Sequence, residues 1–173
     1  MMKTIRMICV LLLLSGASAL AQQVELYGGY GFQRLNSSSR SGVNLNGWAV
    51  GTQLDLPHVT GLSLATDFSG AYGKQSGASL HQYTYAGGPR LSQKLGRVKL
   101  FEHCMLGYAQ LNARLASQTD GASSFALVLG GGADLSLAKH FSIRLSQADY
   151  LRTGYSSNTQ NSFKYSTGAV WRF

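Results

Sequence analysis

The groups able to do chemistry in this 173-residue chain are few and scattered. His58, His81, His103 and His140 show no metal-ligand spacing, so neither a metal nor a cofactor is expected. His81 stands near Ser79, and with Asp149 or Asp120 as the acid it is one place where a base could activate a hydroxyl. Lone histidines at strand rims are more often solvated than catalytic, and the sequence favours a protein that is not an enzyme. Gly130-Gly-Gly132 is flanked by strand-like residues with no helix after it, so it does not read as a phosphate loop. The remaining chemistry is charge. Glu25, Asp55, Asp67, Arg90, Asp134, Arg144, Lys164 and Arg172 all share a face with Gly, Ser and Ala.

That face exists because the chain alternates. Counting back from Phe173, every second residue is Trp171, Ala169, Thr167, Tyr165 and Phe163, while Arg172, Val170, Gly168, Ser166 and Lys164 lie between them. Strand side chains point to opposite faces in turn, so one face is apolar with aromatics at both ends and the other is small, polar or charged. Similar segments run from Val24 to Leu35, Val43 to Leu56, Gly61 to Gly73, His81 to Gln93, Val98 to Ala113, Ser124 to Ser136 and Phe141 to Arg152. Longer polar loops are expected at Asn36–Gly42, Lys74–Ser79, Ala116–Ser123 and Gly154–Asn161. Short turns are expected around Pro57, Lys94–Arg97 and Ala138–His140. Pro89 predicts a bulge or kink. The fifth segment leaves open whether Glu102 or His103 points outward. Asp149 falls out of phase with Arg144, which predicts a bulge or emergence into the headgroup zone.

The fold class expected is therefore all-β, an eight-stranded antiparallel up-and-down transmembrane barrel with an aromatic-edged apolar exterior. A soluble barrel would carry its apolar residues inside. Eight strands leave a lumen only wide enough for side chains to fill, so the charged set reads as a plug of paired groups rather than an open conduit.

Lys3 and Arg6, the apolar run Met7–Leu14 and Ala19-Leu20-Ala21 form a basic, apolar and small-residue series. They predict a secretory signal over residues 1–21, cleaved to leave a barrel domain at 22–173. Cys9 would leave with it, so Cys104 has no intramolecular disulfide partner. The formal charge of +8 comes from dispersed residues. In an exported chain this argues against nucleic acid and for phosphate-bearing lipids as acidic neighbours.

Asp67-Phe-Ser-Gly-Ala-Tyr-Gly73, Gly87-Gly-Pro-Arg90, Leu129-Gly-Gly-Gly-Ala-Asp134, Ile143-Arg-Leu with Gln147-Ala-Asp-Tyr150, and the strand ending at Phe173 carry a likeness over the whole mature chain. It resembles the OmpA/OmpX-like superfamily of small eight-stranded outer-membrane barrels, in particular the barrel-only members common in acidobacteria. The resemblance implies a bacterial outer-membrane location. It also implies that the last strand, with Tyr165, Trp171 and Phe173, is the signal read by the barrel-assembly machinery. Nothing follows Phe173, so the peptidoglycan-binding domain of full-length OmpA, and its anchoring role, are not expected.

His140-Phe-Ser142 resembles the H-x-S of outer-membrane lipid A deacylases. It falls at a periplasmic turn rather than the outer leaflet, and Gly154 stands where those enzymes carry an acid. Arg34, Arg40, Lys74, Arg114 and Arg152, near the external strand ends, are expected to pair with lipopolysaccharide phosphates or to serve solubility alone. The function expected is a monomeric structural or surface-interaction barrel with a filled polar lumen. The alternatives are a narrow small-solute channel or a lipid A-modifying enzyme.

Overall fold

A computed structural model describes residues 24–37, 40–57, 59–75, 77–115, 118–155 and 158–173. The expected signal segment and His58 lie outside the described residues. The strands are β1 (Val24–Ser37), β2 (Arg40–Asp55), β3 (Leu62–Gln75), β4 (Ala78–Leu95), β5 (Val98–Leu115), β6 (Gln118–Ala138), β7 (Phe141–Tyr155) and β8 (Asn158–Arg172). Each pairs antiparallel with its sequence neighbours, and β8 returns to β1, closing the barrel. The seam runs from Glu25 opposite Arg172 to Asn36 opposite Asn161, and the Phe173 amide donates to the Val24 carbonyl at 2.9 Å. Closure satisfies every strand's edge, which is what a sheet in lipid requires.

The alternation decides which face meets the membrane. Leu26, Tyr30, Val50, Leu64, Phe68, Tyr85, Leu106, Phe125 and Leu129 are exposed on the outside. Rings form a partial girdle across neighbouring strands. Trp48 and Phe68 lie 5.3 Å apart, Phe68 and Tyr85 6.2 Å, and Tyr85 and Tyr108 5.8 Å. At the opposite end, where Val24 and Phe173 lie, Trp171 packs on Phe141 at 6.2 Å. We call this the terminal end and the other the distal end.

The structure departs from the sequence reading at the distal end. The expected polar loops are largely strand: Asn112 pairs with Gly121 and Ala113 with Asp120, so the Asp120-Gly121 turn signal lies inside β6. Backbone pairing is indifferent to side-chain polarity, and polar composition there marks exposure to water rather than loss of strand. Outward-facing Asn36, Asn44, Asn46, Gln110 and Asn161 are exposed in this zone. Inside it, Leu35, Leu45 and Ala71 pack with Val43, Leu80 and Leu111. Beyond the aromatic girdle amides thus stand outside while aliphatics join Gln33 and Gln82 inside, closer to the arrangement of a barrel standing in water.

Two irregularities are settled by register. Pro89 produces no shift: it stays opposite Leu64 and faces outward, and β4 and β5 keep one register on either side of it. The bulge lies instead in β7, where the register with β8 shifts between Arg144 and Gln147, and β6 and β7 shift between Ala133 and Asp134. Gly77 and Gly96, at φ of 81° and 61°, stand in tight connections that a side chain would strain.

Candidate functional site

Alternation places Glu25, Gln53, Asp67, Gln82, Arg90, Asp134 and Lys164 inside the barrel, and all are buried. In β5 the apolar residues Leu100, Cys104, Leu106 and Tyr108 take the outside, so Glu102 goes with them and Lys99, Phe101, His103 and Met105 point inward. The β7 bulge adds a residue between Arg144 and Gln147. Without it, Arg144 and Asp149 would face opposite sides; with it, Arg144, Gln147 and Asp149 are all buried inward.

These residues form layers along the axis. At the terminal end Glu25 accepts hydrogen bonds from the Lys99 ammonium and from Arg172 Nε, the latter at 2.8 Å. Deeper in, Arg144 grips Asp134 through Nε to Oδ1 at 2.8 Å and Nη2 to Oδ2 at 3.1 Å. Its Nη1 donates to Gln147 Oε1 at 2.7 Å. The guanidinium lies over the Tyr27 ring at 4.1 Å and the Phe101 ring at 4.5 Å. Arg90 covers Phe101 from 4.4 Å and donates to Gln53 at 3.2 Å. Aromatic faces and side-chain amides thus hold two buried guanidinium groups that a single carboxylate could not satisfy.

Gln147 then donates to Asp149 at 2.8 Å, and Asp149 stands 3.7 Å from the Lys164 ammonium, which binds Asp67 and, at 3.2 Å, Ser69. His103 Nε2 approaches Asp149 Oδ1 to 3.1 Å, but off the hydrogen-bond line. Above this level Gln33 donates to Gln82 at 3.1 Å, and Ala65, Met105, Val128 and Leu151 contribute to an apolar cluster. The enclosed space beside Tyr27, Asp67, Arg90 and Arg144 measures about 10 Å³. A wider hollow of about 840 Å³ opens at the terminal end, lined by Asp55, Lys94, Lys99 and Arg172 among others.

Of the charged residues singled out from sequence, Asp55 sits at this mouth, half-buried, and accepts from Gln53 at 2.8 Å. Glu25 and Arg172 line the same mouth, and the others lie deeper, as described. Sequence reasoning missed Lys99, left His103 open against Glu102, and flagged a bulge or emergence at Asp149 without placing it in the lumen. The unbroken apolar row from Cys104 to Tyr108 was the signal for the first two, whereas Asp149 is hidden by the bulge.

Arg34, Lys74, Arg114 and Arg152 are exposed at the distal end, on strands rather than in loops. The Arg40 side chain lies outside the described residues. Arg34 pairs with Phe163 and Arg152 with Asn161, so the two flank β8 at nearby levels. Tyr165, Trp171 and Phe173 all face outward and are exposed.

The residues weighed for catalysis are not brought together. His81 packs edge-on against Tyr72 at 5.2 Å, while Asp149 points into the lumen. His140 Nδ1 contacts the Arg172 carbonyl at 2.9 Å, and the buried Ser142 hydroxyl faces Ser136 at 3.5 Å. The Asp120 side chain lies outside the described residues. Among the described residues, no group of three His, Cys, Asp or Glu side chains could hold a metal ion.

Residues 7–173 match a family model described as the outer membrane protein β-barrel domain. The structure is similar to Neisserial surface protein A, with a TM-score of 0.76 and 13% identity over 87% of this chain and 97% of that one. It is similar to Ail, the attachment invasion locus protein of Yersinia pestis, at TM-score 0.65 and 16% identity, covering 89% and 100%. The N-terminal β-barrel domain of Pseudomonas aeruginosa OprF follows at 0.52 and 13%, covering 89% and 99%. At these identities the likeness is one of fold. A search of curated proteins returned no match.

Proposed function

The chain belongs to the outer membrane protein β-barrel domain family, and from that premise we propose a closed, non-enzymatic barrel whose role is structural or one of surface interaction. The terminal end then faces the periplasm and the distal end the exterior. The observation that carries the reading is the continuous buried network from Asp134 through Arg144, Gln147 and Asp149 to Lys164 and Asp67. An aqueous path would have to break these contacts, each in a low-dielectric surrounding where an uncompensated charge is costly.

The aliphatic cluster of Leu35, Leu45 and Ala71 closes the lumen again above the membrane. Outside that cluster the described residues of the amide-rich wall are strand, which suits presentation of a surface. Two of the similar structures are by name a surface protein and an attachment protein. Arg34, Lys74, Arg114 and Arg152 stand where outer-leaflet phosphates lie and are proposed to bind them. β8, with Tyr165, Trp171 and Phe173, is proposed as the strand read by the assembly machinery. Proteoliposomes loaded with small sugars and amino acids test the closed state. Retention equal to protein-free vesicles supports it, and release within seconds overturns it in favour of a narrow channel.

A further inference from the structure

Glu102 is a charged residue on the wrong side of the wall. It faces outward and is exposed, between Leu100 and Cys104 on its own strand, opposite Leu91 on β4 and Gly131 on β6. Six residues separate it from Tyr108 in the external girdle, so it sits on the order of 15 Å deeper at ordinary strand rise and tilt. In an apolar band about 25 Å tall this is the periplasmic leaflet. Among the described residues no cation lies within ion-pair distance of it. An ionisable group at membrane depth without a protein partner points to a partner from outside.

The wall around it has a shape. Toward the membrane centre lies a hollow of about 460 Å³, lined mainly by Leu62, Pro89, Leu91, Cys104 and Leu129. Toward the periplasm lies a second, of about 360 Å³, with Thr60, Gly61 and Gln93 in its lining. Glu102 and Leu91 line both. The result is an amphipathic trough, apolar inward and polar outward, with a negative charge at the junction. We propose that this trough holds a phospholipid of the periplasmic leaflet, its acyl chain along Leu91 and Leu129 and its primary ammonium on Glu102.

Charge complementarity selects this occupant. A second copy in the same orientation brings no cation to this depth, since Arg34, Lys74, Arg114 and Arg152 stand at the other end and the exposed Lys94, Arg97 and Lys139 lie at the turns and strand ends of the terminal rim. An anionic headgroup would be repelled, and the apolar hollow has no use for a free amine. The proposal needs the membrane setting and does not depend on the lumen being closed.

The test is native mass spectrometry of the barrel released from nanodiscs that contain equal phosphatidylethanolamine and phosphatidylglycerol. Wild type is expected to keep the ethanolamine lipid about fivefold over the glycerol lipid, the scale of one charge-assisted hydrogen bond. Glu102→Gln should remove the preference. Leu91→Trp, which fills the trough and keeps the carboxylate, should lower total retention. Equal retention of both lipids by wild type overturns the proposal, as does a preference that survives Glu102→Gln or retention unmoved by Leu91→Trp. A wild-type dimer carrying no lipid assigns the face to a second copy and overturns it as well.

Discussion

Arg144 and Asp134 stand on adjacent strands and meet through two parallel hydrogen bonds of 2.8 and 3.1 Å, with both side chains almost wholly buried. Tyr27 and Phe101 cover the guanidinium, so the pair is packed as well as charged. Arg144→Ala leaves Asp134 buried opposite a hole, and Lys99 at 3.9 Å is too far to replace the lost bonds. A loss of about 3–5 kcal/mol is expected, measured by urea unfolding in lipid. Replacing both partners with apolar residues, as in Arg144→Met with Asp134→Leu, should recover most of it. Unchanged stability in Arg144→Ala would show that the pair is not a structural tie.

The β1–β8 seam closes on two facing glycines. A Cβ at Gly29 would lie 2.0 Å from the Thr167 carbonyl oxygen, and one at Gly168 would lie 2.3 Å from that of Gly28. These are backbone contacts that no side-chain rotation relieves. Gly29→Val should therefore block closure, seen as loss of the compact, heat-modifiable band on cold SDS gels. Gly28→Ala, with nothing within 4 Å, should fold normally.

The outward arginines at the external end predict a dependence on lipid phosphate. Arg34→Glu with Arg152→Glu should abolish the rise in melting temperature that phosphorylated lipid A confers on the purified barrel. Identical melting of wild type in phosphorylated and dephosphorylated lipid A would refute phosphate binding.

Phe173 and Trp171 are proposed to act during assembly more than in the finished fold. Phe173→Ser should slow folding catalysed by the assembly machinery in proteoliposomes several-fold, while spontaneous folding in short-chain lipid changes little. Equal slowing of both reactions would place the effect in the barrel itself.

The strand count, the closing strand and the facing of most charged residues were legible because lipid and lumen impose opposite chemistry on alternate residues. Where that contrast fades, the reading fails. Beyond the membrane both faces can be polar, so the strand residues Asp120 and Gly121 looked like loop. Leu45 and Leu111 turned inward because water, not lipid, lies outside them. Asp149 was seen to be out of phase, but only the register tells the extra residue in β7 from emergence into the headgroup zone. Glu102 and His103 could not be separated locally, since either choice puts an ionisable group outward. The neighbouring apolar residues of β5 decide it, and the lumen gains a histidine while the lipid face gains a carboxylate.

The closed lumen is tested most directly by single-channel recording of the purified barrel in planar bilayers. The network from Asp134 to Asp67 predicts insertion without conductance above the bare membrane, at any voltage the bilayer tolerates. Arg144→Ala is predicted to be less stable and still non-conducting. A stable, ohmic open state in the wild type would contradict the account.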